Sequence, residues 1–336
     1  MSAMQLIPVF LTFLLLTSCT GNAVPLSSPE PEIPGITFVT PELSQPTPQS
    51  SLDFPVIGYF PDYRVLNPDW AKNLTDIIYF SAEPRVDGSL DTSRLTEDNW
   101  RQLHEWKTQY GLRVHISIGG WERNGGFVDM STDSETRRIF IENLLYFVLY
   151  HDLDGVDFDW EFPETDGQFA NYIALLTETQ AVFSERGLLV SVALPSESSF
   201  PLGGFVVVDR VHIMSYDRGE KHATYEQAVL DVQLFLDAGI PADKLILGLP
   251  FYGRTTSPPY KALSYGEITS MYFPAPDVDE VNGLYFNGLE TIQKKMCYGM
   301  ETGLGGFMVW ELAQDTTDAA SLLQRIYQLA KGNRPC

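Results

Sequence analysis

Positive charge is what this chain most lacks. Its 336 residues hold 22 Lys or Arg against 44 Asp or Glu, a formal net charge of −22. A surface this acidic repels phosphate polymers and anionic head groups, so nucleic acid is not an expected partner. Histidine is scarce at 5, and the 3 cysteines, Cys19, Cys297 and Cys336, form no Cys-x-x-Cys pair. A structural zinc site is therefore not expected. No strand candidate is followed by Gly-x-Gly-x-x-Gly or a P-loop, so no nucleotide cofactor is expected either. The longest apolar run, residues 6–16, is too short to cross a bilayer as a stable helix. What is present is ordinary globular material: 44% hydrophobic, 20% charged and 12% aromatic residues. The length fits two domains of about 150 residues or one α/β barrel of about 250.

The apolar run at 6–16 reads as the core of a signal peptide spanning residues 1–18. It closes on Leu16-Thr17-Ser18-Cys19, which resembles the lipobox of bacterial lipoproteins, where the cysteine is diacylated and becomes the mature N-terminus. The pattern departs in one respect, since the first basic residue is Arg64 and no positive charge precedes the run. A signal peptide without lipid is the alternative. Residues 19–52 carry seven prolines and no Lys or Arg; such a stretch cannot bury a core and tends to extended conformations, as a tether would. The expected location is an exported one, at the bacterial cell envelope, with a lipid anchor as the sole membrane contact or with free secretion as the alternative. If Cys19 carries lipid, Cys297 and Cys336 permit one disulfide or remain as two free thiols.

From residue 53 to 336 the texture changes. Strand candidates fall at 56–60, 76–80, 113–118, 155–159, 188–193, 210–216, 245–249 and 306–310. Helix candidates lie between them near 95–109, 134–150, 168–186, 225–238, 288–299 and 318–331. Thr224 followed by Gln227 reads as a capping box, and Gly187 and Gly239 as helix stops. The strands are apolar without strict alternation, as parallel strands covered on both faces are. Eight strand–helix alternations predict an α/β fold, a single (β/α)8 barrel of the TIM type. A doubly wound open sheet is the rival. In a barrel the chemistry sits at the C-terminal strand ends.

The fourth strand reads Asp154-Gly155-Val156-Asp157-Phe158-Asp159-Trp160-Glu161. Alternation puts Asp157, Asp159 and Glu161 on one face and Phe158 and Trp160 on the other. The aromatic pair suits the helix layer, so the carboxylates point into the barrel and climb toward its catalytic end. Asp154 has the opposite parity and is expected to cap the strand start. Burying like charges in a row is costly unless protons are shared, so at least one acid should stay protonated near neutral pH. A solvated charge run is the bland alternative for one or two acids, and three on one face argue against it. A divalent metal is the other alternative, but no nearby histidine or further acid cluster completes a ligand set.

Asp-Gly-Val-Asp-Phe-Asp-Trp-Glu resembles the D-G-x-D-x-D-x-E signature of glycoside hydrolase family 18, the chitinases and their relatives. Ser117-Ile118-Gly119-Gly120-Trp121, Met214-Ser215-Tyr216-Asp217, the segment 248–254 and Trp310 resemble the family's other motifs, in the same order. The resemblance implies that Glu161 is the general acid and that Asp159 orients the substrate's 2-acetamido group. It implies that Asp157 shares a proton with Asp159, and that Tyr216, with Met214 and Asp217 beside it, holds the acetamido carbonyl. The family is an exception to two-carboxylate retention, because the substrate's acetamido oxygen attacks the anomeric carbon. Trp310 would floor the −1 sugar site and Trp121 would stack on the +1 sugar, though each tryptophan has plain core packing as its alternative. Tyr59 and Ser117 match hydroxyls that bond the inner acid, with polar packing as theirs. Arg254 reads as a bridge to strand-end carboxylates, with contact to substrate as the alternative. Only about 50 residues separate it from Gly305. That is too few for a large α+β insertion, so a shallow cleft is expected.

The implied activity is hydrolysis of β-1,4 linkages in chitin or N-acetylglucosamine oligosaccharides by a monomer without cofactor or metal. An endo-β-N-acetylglucosaminidase acting on the chitobiose core of N-glycans shares the catalytic strand and is the alternative. A non-catalytic sugar-binding relative is disfavoured by the presence of Glu161. The N-terminal reading predicts that protein from the membrane fraction begins at Cys19 and carries two acyl chains, the number needed for stable anchoring. Intact-mass measurement checks this, and a mature N-terminus at another position overturns it.

Overall fold

Short β-branched and aromatic runs become strands here because their side chains are buried on both sides. One side meets a ring of helices and the other fills the inside of a closed sheet. The computed structural model describes residue 52, residues 54–197 and residues 199–336. The signal peptide, Cys19 and the tether, residue 52 apart, lie outside the described residues. The barrel strands are β1 (Val56–Pro61), β2 (Asp76–Pro84), β3 (Arg113–Gly119), β4 (Gly155–Asp159), β5 (Leu189–Pro195), β6 (Arg210–Met214), β7 (Leu245–Pro250) and β8 (Gly306–Trp310). They pair in parallel in chain order, and β1 also pairs with β8, which closes the cylinder. All eight expected strands are present. β2 runs on to Pro84, and β6 stops at Met214, two residues short of its expected end.

The helices are α1 (Glu97–Tyr110), α2 (Phe127–Thr132), α3 (Ser134–Tyr150), α4 (Asp166–Ser184), α5 (Tyr225–Asp237), α6 (Tyr265–Tyr272), α7 (Leu289–Thr302) and α8 (Leu322–Ala330). Four side-chain caps, Thr96, Asp133, Thr165 and Thr224, start α1, α3, α4 and α5 by accepting a backbone N–H of the first turn. The Thr224 cap forms as expected, but Gln227 does not close the box, because its side-chain amide donates to Asp231 at 2.8 Å. A full capping box stands instead at Ser264 and Glu267, at the start of α6. Helices α2 and α6 are missing from the sequence reading, since six and eight residues are too few to display a 3.6-residue period.

Between β7 and α7 the chain inserts a small α+β unit. Strands Tyr252–Thr255, Ala262–Ser264, Glu280–Val281 and Leu284–Tyr285 form an antiparallel sheet beside α6. The limited chain length allows this much and no large insertion.

The main apolar core lies between strands and helices, where Phe140, Phe158, Tyr172, Phe205 and Phe235 are fully buried. The barrel interior holds a much smaller apolar cluster that includes Ile57, Ile78, Ile246 and Met308. Much of the remaining interior is polar. At the N-terminal end of the barrel, Asp76 is fully buried and accepts from Arg113 at 2.8 Å and Arg210 at 2.9 Å, with His115 Nε2 at 2.9 Å. Burial alone would raise its pKa, but Arg210, His115 and Arg113 outweigh that and hold it well below the usual carboxylate range. This ionic plug closes the end of the barrel opposite the catalytic rim. Gly155 is required where β4 starts, because a Cβ there would stand 2.3 Å from the Leu189 carbonyl oxygen.

Of the two outcomes left open for the later cysteines, the disulfide is formed. It joins Cys297 on α7 to Cys336, 39 residues away. Arg334 and Pro335 bond Gln293 on the same helix. A crosslink of this span contributes about 2–4 kcal/mol. Cys336→Ser is therefore expected to lower Tm by about 5 °C or more while leaving activity unchanged. Non-reducing peptide mapping and a thermal melt check the bond and its effect.

Candidate active site

Strand parity carries Asp157 and Asp159 to the inner face of β4, and Glu161 follows just past its end. Phe158 and Trp160 face outward as expected: Trp160 stacks on Phe127 at 5.0 Å and meets Tyr172 edge-on. Asp154 caps from the other side, accepting the Val114 N–H at 2.8 Å.

Asp157 is completely buried and well partnered. Tyr59 Oη donates to its Oδ2 at 2.7 Å, and Ser191 Oγ donates to its Oδ1 at 2.6 Å. Burial pushes its pKa up to about 7, although both hydrogen bonds work against the rise. Asp159 is equally deep but poorly partnered, and its Oδ1 has no hydrogen bond among the described residues. Burial, then the charges of Glu161 and Asp157, push its pKa well above the carboxylate range. Of the two, Asp159 is the less well partnered and the one pushed further toward its protonated form. Glu161 reaches the cleft, and burial lifts its pKa to about 7 against the Trp121 backbone N–H. The backbone of Glu161 is gripped by Asn124: its carbonyl accepts from Asn124 Nδ2 at 3.0 Å and its N–H donates to Asn124 Oδ1 at 3.2 Å.

The surrounding walls come from other strands. Tyr216 and Asp217 leave the ladder after β6, with Asp217 in the left-handed region at φ 65°. The Tyr216 hydroxyl makes only a 3.9 Å contact to Met308 Sδ among the described residues, which leaves its bonding capacity for a ligand. Arg254 donates to Asp217 at 2.8 Å, the bridging role the sequence suggested. Burial would raise the Asp217 pKa, but His222, Tyr252 and Arg254 outweigh it and hold the group below its ordinary value. Trp310 stands at the end of β8 with its ring edge-on to Tyr59 at 5.6 Å and Phe80 at 4.9 Å. Gly120 makes that stack possible. At φ 102° it lies so near Phe80 that a Cβ would come within 2.1 Å of the ring. Trp121 is 67% exposed, which removes the core alternative for it.

These groups open onto one cleft of about 850 Å³, lined by Asp159, Glu161, Tyr216, Asp217, Trp310, Trp121, Met214 and Tyr59. The insert adds Tyr252, Arg254 and Tyr260 to the wall of the cleft. A second hollow of about 430 Å³ continues past Trp121 and Glu161 toward Glu122 and Glu164. Asp157 lies beneath the cleft floor.

Ser117 is the exception among the expected residues. It stands level with Asp157 in the β3–β4 register, yet its buried Oγ has no partner among the described residues. Ser191, level with Asp157 on the opposite neighbour β5, bonds the acid instead. Sequence reasoning missed Ser191, His212 and Asn124. Parity along 188–193 and 210–216 allowed the first two to point inward, but no local pattern says which inward polar residue meets which acid.

A closed parallel barrel with three acids rising on one strand into an aromatic-lined cleft defines a carbohydrate-hydrolysing barrel. The sequence pattern of glycosyl hydrolases family 18 matches residues 55–315, and the chain belongs to that family. It is 28% identical over 302 residues to chitotriosidase-1 of Mus musculus, covering 69% of this chain and 65% of that protein. It is 27% identical over 312 residues to probable chitinase 10 of Drosophila melanogaster, covering 67% of this chain and 13% of that protein. The chain thus spans less than two thirds of either relative. Among solved structures it is similar to the family 18 chitinase ChiB from the chitin utilization locus of Flavobacterium johnsoniae. The two are 28% identical with a TM-score of 0.72, over 83% of this chain and 94% of that one.

The raised Glu161 pKa carries a stability consequence. Folding lifts it from 4.5 to about 7, so the folded state binds a proton that the unfolded state releases. Stability is favoured while Glu161 stays protonated and falls as pH rises between the two values. Glu161→Gln is expected to raise stability on the order of 1–3 kcal/mol at pH 8 and to be neutral near pH 4. Thermal melts at the two pH values check the sign.

Proposed function

We propose that this protein is a chitinase that hydrolyses β-1,4-linked N-acetylglucosamine with retention, using the substrate's own acetamido group as nucleophile. The observation that carries the reading is the state of the β4 acids. Asp159 is buried, pushed well above the carboxylate range by burial and by Glu161 and Asp157, and its Oδ1 has no partner among the described residues; it lines a cleft that also holds Glu161, Tyr216 and Trp310. A buried carboxyl with unused bonding capacity suits an acetamido N–H. Tyr216, whose hydroxyl is nearly unengaged, suits the acetamido carbonyl. Together they hold the carbonyl oxygen against the anomeric carbon, a near-attack arrangement. Glu161, protonated up to about pH 7, gives its proton to the leaving oxygen. The acetamido oxygen bonds to the anomeric carbon as the glycosidic bond breaks, forming a cyclic oxazolinium whose N–H stays on Asp159 and whose charge is balanced by Glu161, ionised by its proton transfer. Glu161, now ionised, takes a proton from water as that water opens the ring on the same face. The other β6-side carboxylate, Asp217, is engaged by Arg254 and so is poorly placed to act as a protein nucleophile. Trp310 offers a flat apolar floor for the pyranose, and exposed Trp121 a platform for the next sugar. We also propose that the protein is exported and lipid-anchored through Cys19 and acts as a monomer. The disulfide agrees with an oxidising compartment.

Chito-oligosaccharides of defined length, assayed beside a high-mannose glycoprotein, test the reading. Cleavage of the oligosaccharides with the β-anomer appearing first by proton NMR is the expected result, and fully deacetylated chitosan should be inert. Glycan release from the glycoprotein alone would favour the chitobiose-core reading, and initial α-anomer would overturn the mechanism. Glu161→Gln should lower turnover on an unactivated oligosaccharide by at least about 10²–10⁴-fold. Activity should fall as pH rises through about 7, where Glu161 loses its proton.

A further inference from the structure

His212, on β6 beneath the cleft, takes no part in the chemistry described above, yet it is buried at the centre of the barrel. Its Nδ1 lies 2.8 Å from Tyr59 Oη and 3.3 Å from Asp157 Oδ1. Its Nε2 is also buried and has no partner among the described residues.

The single hydroxyl proton of Tyr59 cannot serve both of its short contacts. If Asp157 is ionised, one arrangement satisfies every close pair. Nδ1–H donates to Tyr59 Oη, Tyr59 donates to Asp157 Oδ2, and Ser191 donates to Oδ1. The second Nδ1 neighbour, Asp157 Oδ1, then also faces a proton. If instead Tyr59 donated to Nδ1, Asp157 would have to carry a proton to reach Tyr59. Nδ1 and Oδ1 would then meet lone pair to lone pair at 3.3 Å. The imidazole N–H would also sit on Nε2, buried with no acceptor, which is the costlier way to leave a group unpaired. Both protons on the ring would add a charge beside Arg210 and His115, and burial, then those two groups, hold the His212 pKa well below its ordinary value despite Asp76.

We propose that His212 is a positioning residue for the hydrolysis. It is a neutral Nδ1–H donor that fixes the Tyr59 hydroxyl onto Asp157 and so keeps Asp157 the charged member of the Asp157–Asp159 pair and Asp159 the protonated one. The groups that face the ring set this state: Tyr59 from β1, Asp76 from β2, His115 from β3, Asp157 from β4 and Arg210 from its own strand. The catalytic consequence rests on the chitinase reading, whereas the tautomer does not.

Two measurements on the full chain test it. Long-range proton–nitrogen NMR of the histidine rings should show His212 with its proton on Nδ1 and a bare Nε2. A spectrum with the proton on Nε2 overturns the proposal whether or not the enzyme cleaves chitin. The second measurement is the pH profile of kcat/KM on N-acetylglucosamine oligosaccharides. His212→Leu removes the donor and raises the Asp157 pKa further, so the acidic limb should move up by about half a pH unit or more. Its kcat should drop about tenfold while KM stays near wild type, because the ring lies under the carboxylates and outside the cleft. His212→Asn, whose side-chain amide can occupy the Nδ1 position, should return the limb toward its wild-type place. If the Leu variant loses only folded protein, with the limb unmoved in what remains, His212 is a packing residue. If the wild type cleaves no N-acetylglucosamine oligosaccharide, the chitinase reading fails and the tautomer result still stands.

Discussion

Three carboxyl groups on one face of one buried strand are the constraint that organises this protein. Desolvating a carboxylate costs several kcal/mol, and a second beside it costs more. The chain meets this in two ways along β4. Deep in the barrel Asp157 is given hydroxyl donors, Tyr59 and Ser191, from two other strands. One step higher the Asp159 Oδ1 has no partner among the described residues, and burial pushes the group toward its protonated form. The same strand therefore carries a partnered acid and an unpartnered one two residues apart. That difference turns an electrostatic burden into a site able to move protons near neutral pH.

The requirement reaches the rest of the barrel. An interior devoted to polar groups cannot also be the main hydrophobic core, and here the large aromatics lie outside the sheet, under the helices. The far end is closed by Asp76 among Arg113, Arg210 and His115. His212 stands between that plug and Asp157, so the charges at the two ends share one electrostatic environment. At the open end, Gly120 lets Phe80 stand close against Trp310, and Asn124 holds the backbone at Glu161. These contacts set where a sugar ring can lie relative to the acids. The small insert after β7 supplies Arg254, which holds Asp217 aside.

What the sequence by itself determined follows from short-range periodicity. Alternation along Asp157-Phe158-Asp159-Trp160-Glu161 placed three acids inward and two aromatics outward, because a strand has no other way to arrange successive side chains. Eight apolar runs separated by helical segments were enough for the barrel, and residues at strand ends were enough for most of the cleft. Tertiary structure alone decided the pairings across strands. Ser117 and Ser191 flank Asp157 at the same level on β3 and β5, and nothing local distinguishes them; rotamer and barrel packing give the bond to Ser191. His212 meets Tyr59 across 153 residues. Asn124 reaches Glu161 across 37. The disulfide between Cys297 and Cys336 likewise depended on the tail returning to α7. Such contacts are set by the closure of the sheet and the register of its neighbours, which local periodicity does not encode.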